Sequence, residues 1–237
     1  MTQKEKQFLL ACVLGDGCIN KRIINNTVQC RFLLHHSNKQ ADYFLWKVEK
    51  IRKILDKADS KNSTWRYENT SGRSKILSVK FERNHPYFKN LYGFIYQNKT
   101  KTFSKKVLNK LDIEGLAIWY MDDGSLYNYK KLYPDGTYKY NKCSMTLNTY
   151  LSHEENKIIV NYFKQKYDIE WKINKDKSFT RLVCSTENAR KIVSLIKDFI
   201  HPSMMYKIDI KVGTQVKDKT QPLAGNAEGE DIVQIGR

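Results

Sequence analysis

The chain lacks any long apolar run: the longest near its start is seven residues, Phe8 to Leu14. That is far short of the roughly 20 needed to cross a bilayer. No secretory leader is visible at the N-terminus, so none is expected. Cysteine is sparse, five in 237 residues, odd in number and without a Cys-x-x-Cys pair. Neither a disulfide framework nor a thiolate zinc site is expected, and a reducing compartment is the simpler setting. The five histidines show no zinc-finger or His-Glu-x-x-His spacing. Acids are outnumbered, 25 against 42 Lys and Arg, for a net charge of +17. Residues 214–237 net −1, which leaves +18 on residues 1–213. An excess of that size on a folded domain points to a polyanion, most often nucleic acid. Hydrophobic residues make up 41%, enough core for one large domain or two small ones. Abundant Asn, Lys and Tyr hint at an AT-rich genome, as in a mitochondrion, a chloroplast, a phage or a bacterium.

What is present is a repeated design. Leu9-Leu10-Ala11-Cys12-Val13-Leu14-Gly15-Asp16-Gly17 is apolar, carries small residues at Ala11 and Gly15, and ends in Asp-Gly. Thr2 and Glu5 make a capping-box pattern that would start a helix, and Gly17 would stop it by taking positive φ. Leu116-Ala117-Ile118-Trp119-Tyr120-Met121-Asp122-Asp123-Gly124 repeats the pattern, with Asp112 as a plausible cap. An acid at a helix C-terminus opposes the helix dipole. Two such helices packed together would bring Asp16 and Asp123 close, where they repel unless a cation joins them.

The order of elements repeats as well. In the first half, Asn20 to Asn26 reads as a polar turn carrying Lys21 and Arg22. Val28 to His35 alternates, with Val28, Cys30, Phe32 and Leu34 on one face and Gln29, Arg31 and His35 on the other. His35-His36 reads as DNA-facing or structural rather than as a ligand pair. Ser37 and Gln40 form a second capping-box pattern before an amphipathic helix to about Asp56. A hairpin follows, with Arg66 and Lys80 on its strands and its turn region at Ser71-Gly72, next to Arg73; Pro86 then opens another helix. In the second half the hairpin turns at Pro134-Asp135-Gly136, and Lys142 to Asn148 alternates. Ser152 and Glu155 cap a helix, two strands follow, and a last helix runs from near Thr186. The two acids lie 107 positions apart, a degenerate duplication that suits a pseudo-twofold partner such as duplex DNA. The halves are taken as residues 1–100 and 101–213, with 214–237 a disordered tail.

The two Asp-Gly stretches resemble the motif of the LAGLIDADG homing endonucleases and related maturases. The resemblance covers about residues 1–213. It implies an α+β fold, a pseudo-twofold duplicated αββαββα arrangement whose two antiparallel sheets form a DNA-binding saddle. It implies Asp16 and Asp123 as catalytic, metal-binding acids, with the Gly15 and Asp122 carbonyls adding oxygens for Mg²⁺ or Mn²⁺. It puts Ile118 and Asp122 at the helix-contact positions matching Ala11 and Gly15. It places a basic residue, Lys101 in one half and Lys207 in the other, near the metal and its water. The implied activity is that of a monomeric, intron-encoded nuclease cutting both strands of a long site across the minor groove, leaving 3′ overhangs. The alternatives are an RNA maturase assisting group I intron splicing, or a silent DNA-binding regulator on the same scaffold. The polar strand faces would read the major groove through Gln29, Arg31, Arg66 and Lys80 in one half. Ser144, Thr146, Asn148, Lys172 and Asn174 would do so in the other, with Lys21, Arg22, His35, Arg73, Lys142 and Arg181 adding contacts. A register slip of one residue would exchange the faces.

Overall fold

Thr2 caps the first helix, α1 (Gln3–Leu14), through the anticipated box. Its hydroxyl accepts from Glu5 N at 3.2 Å while the Glu5 carboxylate accepts from Thr2 N at 2.6 Å. Two otherwise orphaned amides are satisfied together. Phe8 to Leu14 are all buried, around the whole helix and not along one stripe, so α1 is a core helix. The structure, a computed structural model, describes residues 1–55, 63–69, 77–135, 137–176 and 179–216. Its contacts define two units: Met1–Asp123 with Ile196–Met205, and Gly124–Leu195 with the chain from Tyr206. The division at Asp123 differs from the repeat boundary near residue 100, because α5 (Ile113–Asp123), the second motif helix, packs on α1.

Gly17 does not end α1 in the expected way. Among the described residues the glycine with positive φ is Gly213, not Gly17. The chain instead folds back on the last turn: Gly17 N donates to Cys12 O at 2.9 Å. A Cβ on Gly17 would lie 2.3 Å from that oxygen and 2.6 Å from the Phe32 ring. The site needs glycine for space.

The first unit continues as a hairpin, β1 (Cys18–Ile24) and β2 (Thr27–Ser37). The polar turn expected over Asn20 to Asn26 is therefore mostly strand. Only Asn25 and Asn26 form the loop, at φ 48° and 58°, as a two-residue hairpin loop demands. β1 escaped notice because Ile19 is its one buried residue. The Ser37–Gln40 box does not form: the turn Asn38–Gln40 has no side-chain cap bond, and Gln40 Oε1 lies 3.0 Å from His36 Nδ1. α2 (Ala41–Leu55), β3 (Ser63–Asn69), β4 (Leu77–Asn84) and α3 (Tyr87–Ile95) follow. The sheet is antiparallel in the order β1-β2-β4-β3, with α2 and α3 packed on it. Arg73 and the Ser71-Gly72 turn lie outside the described residues. A small hairpin, β5 (Tyr96–Gln97) and β6 (Thr100–Lys101), and a short helix, α4 (Lys105–Leu108), lead to α5. Asp112 Oδ1 accepts from Gly115 N at 2.8 Å, so the predicted cap is in place.

The second unit repeats the programme with β7 (Gly124–Leu132), β8 (Thr137–Leu147), α6 (His153–Tyr167), β9 (Lys172–Asp176), β10 (Phe179–Cys184) and α7 (Thr186–Ile196). The expected hairpin and the alternating strand after it are one pair of long strands, bent by a bulge at Tyr129/Lys130. The Ser152–Glu155 box caps α6 as anticipated. β8 also pairs with β10 near its C-terminal end and with β11 (Gly213–Val216) near its N-terminal end. Residues 214–216 of the anticipated tail are thus strand; residues 217–237 lie outside the described residues. Counted from α1 and from α5, each repeat reads αββαββα.

Candidate active site and nucleic-acid interface

Asp16 stands two residues beyond the end of α1, its side chain 32% exposed. Its N–H donates to Asp122 Oδ2 at 3.0 Å, and its Oδ2 lies 3.4 Å from His36 Nδ1. Asp122 is held from the other side. Lys47 Nζ on α2 lies 2.7 and 2.9 Å from its two oxygens, and the Tyr43 hydroxyl donates to Oδ1 at 2.9 Å. The Lys47 and Asp122 side chains are both wholly buried. Burial first, and then the adjacent Asp122 charge, hold the Tyr43 phenol well above its ordinary pKa. Gly15 makes room for this arrangement, since a Cβ there would lie 2.2 Å from Asp122 Oδ2.

Asp123 is the last residue of α5. Trp119, one turn earlier, donates its indole N–H to Asp123 Oδ2 at 3.0 Å. Burial, and next the charges of Asp122 and Asp16, push the Asp123 carboxyl up to about 8, against the pull of Lys101. Lys101, in β6, caps the C-terminal mouth of α1. Its Nζ donates to the carbonyls of Leu14, Gly15 and Gly17 at 3.2, 3.0 and 3.1 Å. These oxygens carry the negative end of the helix dipole, which suits a cation. Burial lowers the Lys101 pKa, and Asp123 is the largest charge opposing that shift. Asp16, Asp123, Gly15, Asp122 and Lys101 thus meet at the ends of the two motif helices within one unit. The donors are oxygens of the kind a hard divalent cation takes, and their carbonyl cradle already receives an ammonium. Asp16, His36 and Asp122 also bring ligand atoms within 4.8 Å of one another. Lys207 is buried, is the last residue of the turn Pro202–Lys207, and belongs with Tyr206 to the second unit.

The sequence reading missed Lys47, Tyr43 and Trp119, and of its two readings of His36, DNA-facing or structural, the buried ring beside Asp16 fits the structural one. Lys47 left one signal, a lysine four residues after Tyr43 on the apolar side of an amphipathic helix. It missed Gly115 too. Gly15 faces Asp122, and the other small residue, Ala11, lies against Gly115. A Cβ on Gly115 would lie 3.5 Å from the Ala11 Cβ.

The register places most predicted DNA-contacting residues on one face of each sheet. In the first unit Arg22 pairs with Gln29, Arg31 with Asn84, and His35 with Lys80, which also stands opposite Arg66. Arg31 and Lys80 share Glu82, at 3.0 and 3.1 Å. Lys21 departs from the set: it pairs with Cys30 on the apolar face, and its Nζ lies 5.6 Å from the Tyr92 ring centroid. In the second unit Lys142, Ser144 and Thr146 stand opposite Tyr129, Tyr127 and Ser125. Thr146 also pairs with Val183, which pairs with Lys172, and Arg181 pairs with Asn174. Thr146 is itself buried and hydrogen-bonded to Ser125. Asn148 lies just past the end of β8. Cys143, Met145, Leu147, Leu182 and Cys184 fill the opposite, buried face.

The family model of the LAGLIDADG DNA endonuclease family matches residues 6–192. The chain belongs to that family, as a single polypeptide carrying two motifs. It is 30% identical over 136 residues to a probable intron-encoded DNA endonuclease 3 of Mycosarcoma maydis, covering 54% of this chain and 90% of that one. It is 25% identical over 211 residues to a probable intron-encoded endonuclease 1 of Wickerhamomyces canadensis, covering 88% and 85%. Among solved structures, the homing endonuclease I-WcaI bound to its DNA recognition sequence superposes with a TM-score of 0.68. That match has 20% identity and covers 89% of this chain and 88% of that one, which establishes the duplicated α+β fold. Among the described residues no helix is long and apolar enough to cross a membrane.

Proposed function

We propose that this chain is a site-specific, intron-encoded homing endonuclease that acts as a monomer on double-stranded DNA. It hydrolyses one phosphodiester on each strand of a long target and depends on a divalent cation, Mg²⁺ or Mn²⁺. The observation that carries the reading is the meeting of Asp16 and Asp123 at the ends of packed helices, with Lys101 on the α1 carbonyls. Asp16 and Asp123 would hold the cation, helped by the Gly15 and Asp122 carbonyls. When bound there, such a cation would supply a lowered pKa for water and neutralisation of charge on the leaving oxygen. Lys101, already beside Gly15 O, stabilises negative charge on the reacting phosphate, and Lys207 plays the matching part for the second repeat. Each acid serves mainly one strand. The polar sheet faces supply sequence recognition through Arg22, Gln29, Arg31, His35, Lys172 and Arg181. Their antiparallel ribbons match the width of the major groove.

Selection of cleaved sites from a random DNA library, with Mg²⁺ and with Ca²⁺ in parallel, tests this. Linearised product of one sequence class in Mg²⁺ is expected, with loss of cutting in Asp16→Asn and Asp123→Asn. Binding to one sequence without cutting would favour the regulator, and cutting by both Asn variants would remove these acids from the mechanism. Accelerated splicing of an intron RNA without DNA cleavage would favour the maturase.

A further inference from the structure

The Lys47–Asp122 pair is costly to place where it is. Both side chains are fully buried, and a buried ion pair often stabilises a fold no better than apolar residues of the same volume. Its geometry shows another use. One Asp122 oxygen takes Tyr43 and Lys47, and the other takes Lys47 and the Asp16 N–H. The Asp16 amide lies beyond α1, between Gly15 N and Gly17 N, which return to Ala11 O and Cys12 O, and its own N–H is met by Asp122 instead of by the helix. Asp123 differs: it is part of α5 and is held by Trp119 from the same helix. One acid is therefore held within its own helix, while the other has its amide held across helices, by α2 acting through Asp122.

We infer that Lys47, Tyr43 and the Asp122 side chain are positioning residues that hold the Asp16 backbone, and so its carboxylate, in place for cation and phosphate. The Asp122 carboxylate is committed to this task, which leaves its backbone carbonyl as the oxygen offered to the cation. The second repeat needs no such clamp. The inference rests on the nuclease reading above, and it predicts an asymmetry within it: loosening the clamp impairs the strand served by Asp16 more than the strand served by Asp123.

Two double variants separate positioning from core filling. Lys47→Met with Asp122→Asn removes both charges but keeps an acceptor for the Asp16 N–H. Lys47→Met with Asp122→Ala removes the acceptor as well. The first readout is Tb³⁺ luminescence sensitised by tryptophan, titrated on the DNA-bound protein, which needs no turnover. The second is the single-turnover rate of each strand in Mg²⁺. Loss of groups that orient a ligating carboxylate typically costs about 10- to 100-fold in metal affinity or activity. The Ala pair is expected to lose that much relative to the Asn pair in Tb³⁺ affinity, and to accumulate nicked DNA cut on one strand. Tyr43→Phe leaves the charges paired, so it keeps the core intact and should shift the strand ratio in the same direction by less. Equal Tb³⁺ affinity in the two pairs, with a wild-type strand ratio in all three proteins, would overturn the inference. A wild type that cuts nothing would sink the nuclease reading, and the Tb³⁺ comparison would still decide the role of Asp122.

Discussion

Gly15→Ala probes the closest approach between the motif helices. The new Cβ would lie 2.2 Å from Asp122 Oδ2 and 2.6 Å from Asp122 Cβ, so one of them must move by more than an ångström. The carboxylate cannot rotate away cheaply, because Lys47, Tyr43 and the Asp16 amide hold it at 2.7 to 3.0 Å. Disrupting a buried ion pair costs about 3–5 kcal/mol, more than the roughly 1–3 kcal/mol of simple overpacking. In a chain of this length that corresponds to a fall in Tm of about 6–20 °C. Differential scanning calorimetry at pH 7 reads it directly. Gly93→Ala is the control: its Cβ meets nothing within 4 Å inside α3, so it should stabilise. Removing a mid-helix glycine is worth about 0.5–1 kcal/mol. In the background Lys47→Met with Asp122→Ala the carboxylate and its buried pair are gone while the residue-122 Cβ at 2.6 Å remains, so Gly15→Ala should cost only the roughly 1–3 kcal/mol of simple overpacking, a plain failure of additivity. A Tm for Gly15→Ala within about 2 °C of wild type would refute the reasoning, since that span is worth no more than about 1 kcal/mol.

Asp123 makes the cation-free protein pH-sensitive. With its pKa raised to about 8, the folded state holds a proton that the unfolded state releases near its ordinary value of 3.8. Stability therefore falls as pH rises from 4 to 8, and Asp123→Asn should lack that fall. Urea titrations in EDTA across this range would show the gap widening with pH; a constant gap refutes it. The two lysines at the site, Lys47 and Lys101, should rank differently in stability. Lys47→Met strands the Asp122 charge at about 3–5 kcal/mol. Lys101→Met instead removes a donor from carbonyls and costs about 1–3 kcal/mol. Thermal melts of the two at pH 7 give the order, and a less stable Lys101→Met would contradict it. On the sheet face, Lys172→Ala should weaken DNA binding and lower the salt-dependence slope by about 0.9, the share of one phosphate contact. Lys157→Ala, on α6 and paired with Glu154 at 2.9 Å, should leave the slope unchanged when fluorescence anisotropy is run from low to moderate salt.

The sequence was legible wherever one residue type at one spacing has one physical use. Thr2 with Glu5, Ser152 with Glu155, and Asp112 before α5 announced helix starts, because only short polar side chains reach the exposed amides. β2 and β8 announced their faces because one side of each is buried. β1 did not, since Ile19 is its lone core contact. Ser37 and Gln40 had the right spacing, but His36 competed for Gln40 and won. At the candidate site the acids were visible because they end apolar helices, where a carboxylate is out of place. Their supports were not. Lys47 and Asp122 are 75 residues apart, and nothing local to either says that a lysine inside an apolar face has found a carboxylate. Gly15 explains why Asp122 is tolerated at a position where the first motif has glycine: one helix gives up a side chain so that the other can keep a charged one. The duplication is consequently symmetric in its elements and asymmetric in its chemistry. The asymmetry lies in pairings across helices, a level of information that local patterns do not carry.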